Sequence, residues 1–267
     1  MEYMGRFTQS EEGRRDELIR IIEHSVEKLT LAEAEQKKEI LEKLLTAEER
    51  FRTECVKCVS ITQNFCYSWI FDYYPTTVHF DVSSVDQKNR EIVWDLKNDP
   101  DKSHYPYTHY YVLKGVVPRI KRQIMARWGR RNIKELTLVC VPASTQVKNK
   151  ARYEAFSKML CEETGMENGY EHVHFIKDGI SKKSPNNGIG ISVRPEVTFD
   201  DWFKGRFVVL FDDVVTKGET MLYYKNMLQK VGAIVVGGLG LGKTKHDPPI
   251  TLPPLIVEYD EDDITGS

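Results

Sequence analysis

Apolar residues recur at helical spacing through the first third of the chain. Leu18, Ile21, Ile22, Val26 and Leu29 form one stripe, and Ile40, Leu41, Leu44 and Leu45 a second. Phe51, Cys55, Val59, Thr62 and Cys66 are read as a third. A capping-box pair precedes each stripe: Thr8 with Glu11, Thr30 with Glu33, and Thr46 with Glu49. In such a pair the hydroxyl and the carboxylate satisfy helix-end amides reciprocally. The pattern predicts three helices over roughly 9–70.

The texture then changes. Val78–Val82 alternates as a strand does, and a helical stripe runs from Val112 to Trp128. Leu136–Val141 and Arg206–Phe211 are continuous apolar runs, as in strands covered on both faces. Helices are expected at about 150–164 and 219–231, and further strands at His172–Ile176 and Ala233–Leu239. Residues 178–203 show no clear period. Strands alternating with helices predict an α/β fold, a mostly parallel sheet flanked by helices. The division expected is a helical extension over 1–75, an α/β domain over 76–257 and an acidic tail over 258–267.

Composition narrows the function classes. Of 267 residues 40% are hydrophobic, enough to bury a core. Lys and Arg total 38 against 40 for Asp and Glu, a net charge of -2 that argues against a dedicated nucleic-acid binder. The apolar runs are too short to span a bilayer. The polar, acidic N-terminus is not a secretory signal, and five irregularly spaced cysteines suit a reducing cytosol, so a cytoplasmic location is expected.

The chemistry concentrates in Val208–Thr220. A buried strand ends in two acids, Asp212 and Asp213, at the edge where open α/β sheets bind ligands. Adjacent carboxylates repel unless something uses them. Ribose hydroxyls, or a cation, would do so. The segment Val215, Thr216, Lys217, Gly218, Glu219 and Thr220 then offers backbone N–H groups at a helix start, a site suited to a phosphate monoester. Acids for a diol beside amides for a phosphate describe a ribose-5-phosphate cradle.

Asp212–Thr220 with its preceding apolar residues resembles the phosphoribosyl pyrophosphate (PRPP) motif of class I phosphoribosyltransferases. A weaker resemblance from about 88 to 245 is nearest to the competence-protein-F type, predicted amidophosphoribosyltransferases. It rests on Asp95-Leu96-Lys97, Val139-Cys140-Val141-Pro142, a faint echo in Arg152–Phe156, and Val235–Leu239. That group's zinc ribbon is replaced here by helices, and Lys217 stands where the family often has Thr.

The resemblance implies transfer of 5-phosphoribosyl from PRPP to a nitrogenous acceptor, with release of pyrophosphate. Asp212 and Asp213 would hold the ribose hydroxyls, and 215–220 the 5′-phosphate. Ala143 and Ser144 would lie in a pyrophosphate loop, with Lys148 and Lys150 close by. Lys182, Lys183 and Arg194 would belong to a basic lid. Mg²⁺ would be held mainly by substrate oxygens and water, with Asp212 and Asp213 as the available acids. The absence of a carboxylate at Thr216 argues against a 6-oxopurine acceptor. A non-catalytic PRPP- or nucleotide-binding regulator is the alternative. A third reading makes the N-terminal helices a homodimer or partner-docking module.

Gly237–Thr244 fits the Walker A pattern, but the prolines that follow preclude the helix such a loop requires. Cys55-x-x-Cys58 with Cys66 is half a zinc pattern at most, and buried free thiols are expected instead. Tyr105, Tyr107, Tyr110 and Tyr111 cluster as core or interface aromatics, or as a stacking surface for an acceptor ring.

Overall fold

The computed structural model describes residues 9–25, 30–55, 57–62, 65–102, 107–180 and 193–249. Two helices open the chain, α1 (Gln9–Ser25) and α2 (Leu31–Glu54). A hairpin of β1 (Cys58–Thr62) and β2 (Phe65–Tyr73) follows, then α3 (Ser84–Lys97) and α4 (Thr108–Trp128). The remainder alternates: β3 (Leu136–Cys140), α5 (Gln146–Thr164), β4 (Glu167–Asn168), β5 (Val173–Lys177), β6 (Glu196–Phe199), β7 (Phe207–Val215), α6 (Glu219–Lys230) and β8 (Ile234–Thr244).

The main sheet has the order β1-β2-β8-β7-β3-β4. Only the β1–β2 pairing is antiparallel. β5 and β6 form a separate antiparallel pair. Helices cover both faces. Phe207, Val209 and Phe211 of β7 pack towards α1–α5, and Val208 and Leu210 towards α6 and β6. Two apolar layers therefore sandwich a mostly parallel sheet, the α/β class that the alternation of elements predicts.

Four local expectations are corrected. Thr46 starts no helix, because α2 runs uninterrupted through it. Residues 58–62 and 65–73 are strands, not helix: Phe65, Tyr67 and Trp69 alternate with Cys66 and Ser68, and β2 is paired on both edges inside the sheet. The sheet thus takes in residues assigned to the helical extension of 1–75. Val78–Val82 is not a strand but an irregular run into the Ser83 cap of α3. Phe80 packs edge-on against Tyr74, and Arg90 donates to the Tyr74 and Pro75 carbonyls. The unpatterned stretch 178–203 contains β6, whose two inward residues, Val197 and Phe199, are too few to show a period.

The Thr30–Glu33 capping box is present in full. Thr8 and the tail 258–267 lie outside the described residues. Leu18, Ile22, Leu41, Leu44 and Leu45 all join the main core, so α1 and α2 bury their apolar stripes within this chain. Their docking is also ionic. Glu48 of α2 pairs with Arg14 of α1 at 2.7 Å and with Arg127 of α4, and all three are buried. Both guanidiniums reach the sheet, Arg14 at the Val236 carbonyl and Arg127 at the Gly238 carbonyl.

Candidate functional site

The site begins where β7 outruns its neighbour. β3 pairs with β7 up to Cys140–Phe211, and the Val141 N–H then donates to the Phe211 carbonyl at 2.7 Å. Past Phe211, β7 continues with β8 alone, through Asp212–Gly240, Val214–Gly242 and Val215–Lys243. The chain leaves β3 through α5 towards β4 and leaves β7 through α6 towards β8. α5 packs on one face of the sheet and α6 on the other. Such a switch point opens a crevice at the carboxyl edge between the two strands. Asp212 lies at its mouth, whereas Asp213 is buried beside it, turned to Lys97 and Arg152, and does not line the cleft.

The acids are not equivalent. Asp213 is 4% exposed. Its Oδ1 accepts from the Val214 N–H at 2.8 Å. Its Oδ2 lies 3.1 Å from Arg152 Nη1 of α5 and 3.6 Å from Lys97 Nζ in the last turn of α3. Burial opposes ionisation, yet Arg152 and Lys97 hold the Asp213 carboxyl below its ordinary range. Asp212 is pushed well above that range, first by burial and then by the Asp213 carboxylate, with which it shares a hydrogen bond. The pair is therefore unequal, burial and its neighbour favouring the protonated form of Asp212 while Arg152 and Lys97 favour the ionised form of Asp213. Strand alternation slips here: Val214 packs on the α3–α5 side and Val215 on the α6 side, out of phase with Phe207–Phe211.

Beyond the acids the chain turns into α6. Gly218 caps that helix with φ 82°. The left-handed region suits glycine, and a Cβ here would collide with Ile61 Cδ1 and stand 3.1 Å from Tyr67 Cε1 of the hairpin. The loop is braced from β8. Thr216 Oγ1 bonds Thr244 Oγ1 at 3.0 Å, and Lys243 Nζ donates to the Thr216 carbonyl. Thr216, Lys217 and Glu219 are exposed. An open cleft of about 850 Å³ is lined by Asp212, Val215–Thr220 and Arg194, whose guanidinium lies 5.1 Å from the Tyr223 ring centre. The helix start and its preceding amides give this cleft a positive end.

The other expected residues are placed differently. Lys182 and Lys183 lie outside the described residues, as does Tyr105. Ala143 and Ser144 follow β3 but do not line the cleft. The Ala143 N–H already donates to Asn149 Oδ1 at 3.0 Å, and the Ser144 carbonyl accepts from the Gly179 N–H at 2.7 Å. Lys148 pairs with Asp101 at 2.7 Å and Asp99 at 3.2 Å, and Lys150 with Glu154 at 3.7 Å. Tyr107 and Tyr111 are exposed at the start of α4, apart from the cleft lining. The Walker-like Gly237–Thr244 lies within strand β8, and the described residues after it, 245–249, are not helical.

Lys97 and Arg152 were not singled out as site residues from the sequence. Both lie in segments that carry the weaker resemblance, and the fold brings both onto Asp213. Among the described residues, no group of three or more His, Cys, Asp or Glu side chains is disposed to hold a metal. With Asp213 already paired to Lys97 and Arg152, Asp212 is the acid left at the cleft, so a metal there would depend mainly on oxygens of its ligand and on water. Among the described residues no helix is long and apolar enough to cross a membrane.

No protein-family model matches the chain, and no curated protein matches it. The chain is similar to the solved structure of a purine phosphoribosyltransferase from Pyrococcus horikoshii Ot3, at 11% identity and a TM-score of 0.30, over 54% of this chain and 95% of that one. A score at that level leaves the fold and the site to be read from the geometry above.

Proposed function

We propose that this protein is a phosphoribosyltransferase that takes PRPP with Mg²⁺ and passes 5-phosphoribosyl to a nitrogenous acceptor. One observation carries the reading: an acid pair at a sheet switch point runs directly into an amide-lined bend at a helix start. Asp212 and Asp213 would receive the 2′- and 3′-hydroxyls. The asymmetry of the pair suits a diol, because an ionised carboxylate accepts while a protonated one also donates. The 215–220 bend would take the 5′-phosphate on its backbone N–H groups, with the Thr216 and Thr220 hydroxyls adding donors.

Chemistry at C1 passes through an oxocarbenium-like state in which pyrophosphate leaves. Mg²⁺ bound to the leaving group would supply charge neutralisation. Arg194, at the cleft, would add a donor to the charge developing on pyrophosphate, a contribution typically worth on the order of 10²–10³ in rate. Lys182 and Lys183 are assigned the same role on the strength of the sequence resemblance alone. Arg152 and Lys97 act behind Asp213, keeping it ionised and oriented.

Titration calorimetry of the full chain with PRPP and Mg²⁺ tests this reading. Binding that the Asp212→Asn, Asp213→Asn double variant loses is expected, and no heat from the native chain would sink it. A non-catalytic PRPP- or nucleotide-binding regulator is favoured by a separate observation, the Ala143 amide already occupied by Asn149 where a pyrophosphate loop would need it. Pyrophosphate release with a panel of amine and base acceptors separates the two. Binding without turnover for every acceptor favours the regulator.

A further inference from the structure

The β1–β2 hairpin carries two thiols on one face. Cys58 stands opposite Ser68, and Ser60 opposite Cys66, so Cys58 and Cys66 are diagonal neighbours with side chains on the same side. Each thiol shifts the ionisation of the other. Cys66 is 1% exposed and Cys58 is half-buried. Behind them lies the buried ion cluster. Cys66 donates to Glu48 Oε1 at 3.0 Å, and Arg127 Nη2 donates to Cys66 Sγ at 3.1 Å.

We propose that Cys58 and Cys66 are a peroxide-sensitive pair that closes reversibly into a disulfide. This inference stands apart from the phosphoribosyl reading and uses none of the cleft residues. The two sulfurs are unlike in the way such a reaction needs. The neighbouring Cys66 lowers the Cys58 thiol to about 7, with the Arg127 charge acting in the same sense against burial. Near neutral pH a large share of Cys58 is thiolate, the nucleophilic form. Cys66 is pushed well up, by the neighbouring Cys58, by burial and by Glu48, to which it donates, so its thiol form is favoured.

The steps balance. The Cys58 thiolate attacks one oxygen of hydrogen peroxide, the O–O bond breaks, and the departing hydroxide takes a proton and leaves as water. Cys58 is then a sulfenic acid. Cys66 sulfur attacks Cys58 sulfur, the S–O bond breaks, and the Cys66 proton accompanies the hydroxide out as a second water. Two thiols are oxidised and one peroxide is reduced. The opposite face of the same hairpin, through Ile61 and Tyr67, packs under the Gly218 bend. The cross-link would therefore form in the element that supports the cleft.

The test treats the full chain with one equivalent of hydrogen peroxide at pH 7.5, blocks residual thiols with iodoacetamide and maps the non-reduced digest by mass spectrometry. The expected product joins the Cys58 and Cys66 peptides with loss of two hydrogens, and dithiothreitol reverses it. In Cys66→Ser, Cys58 stops at the sulfenic acid and dimedone captures it. Cys58→Ser, a substitution at a half-buried position, yields no cross-link while circular dichroism stays native. Alkylation of Cys58 in the untreated chain slows as pH falls through about 7. A Cys55–Cys58 product, a Cys58 that stays fully alkylatable after peroxide, or a Cys66→Ser protein with no captured sulfenic acid overturns the proposal.

Discussion

Arg152 Nη1 stands 3.1 Å from Asp213 Oδ2, joining α5 to β7 in a pair whose side chains are 15% and 6% exposed. Removing one partner of such a pair strands the other charge away from water. Arg152→Met is expected to destabilise the chain by about 3 kcal/mol, the lower end for a broken buried pair because Lys97 remains at 3.6 Å. Urea unfolding measures it, and Arg152→Lys should recover part of the loss. An unfolding midpoint unchanged by Arg152→Met would show that the pair holds nothing.

The two acids should respond differently to amide substitution. The Asp212 carboxyl is raised in the fold by burial and by Asp213, which favours its protonated form. A group whose folded pKa is raised above its unfolded value adds stability below the unfolded value and loses it as pH rises through the folded one. Asp212→Asn should therefore gain on the native chain as pH rises above the ordinary aspartate range. Asp213→Asn removes a charge that Arg152 and Lys97 need, and should destabilise at neutral pH. Thermal unfolding of both variants between pH 5 and 8 checks this, and equal losses from the two would contradict it.

Glu48 holds α1, α2 and α4 together from a buried position. Burial works against its charge, but Arg127 and Arg14 lower its carboxyl from 4.5 to about 2. A depressed carboxyl adds stability above its unfolded value, and that stability drains as pH falls towards the folded one. The native chain should lose stability between about pH 4.5 and 2 through this group. Glu48→Gln should flatten that part of the acid-unfolding curve and cost about 3–5 kcal/mol at neutral pH, since two guanidiniums are left buried.

Gly218 couples the loop to the hairpin. Gly218→Ala places a Cβ at φ 82° against Ile61 Cδ1. The left-handed conformation alone costs roughly 1–2 kcal/mol for a residue with a side chain. The larger expected effect is on ligand: the amides of 216–220 must shift, so affinity for PRPP or inorganic phosphate should fall at least about tenfold by calorimetry, equivalent to about 1.4 kcal/mol. Unaltered affinity would mean that the bend is not the phosphate site.

Much of the scaffold is legible in the sequence because local chemistry dictates it. The Thr30–Glu33 box starts α2, the runs Leu136–Cys140 and Phe207–Phe211 can only be strands covered on both faces, and Gly218 announces a turn before α6. The acid pair is legible for the same reason, since charge at the end of an apolar strand demands a partner. What tertiary structure alone decided is who that partner is and where the sheet begins. Phe65–Tyr73 has spacings compatible with either period, and only pairing with β8 and β1 makes it a strand. Lys97 and Arg152 lie far from Asp213 along the chain and converge on it only because α3 and α5 pack on one face of the sheet. Periodicity reports which face of an element is buried, whereas long-range electrostatics depends on which faces meet.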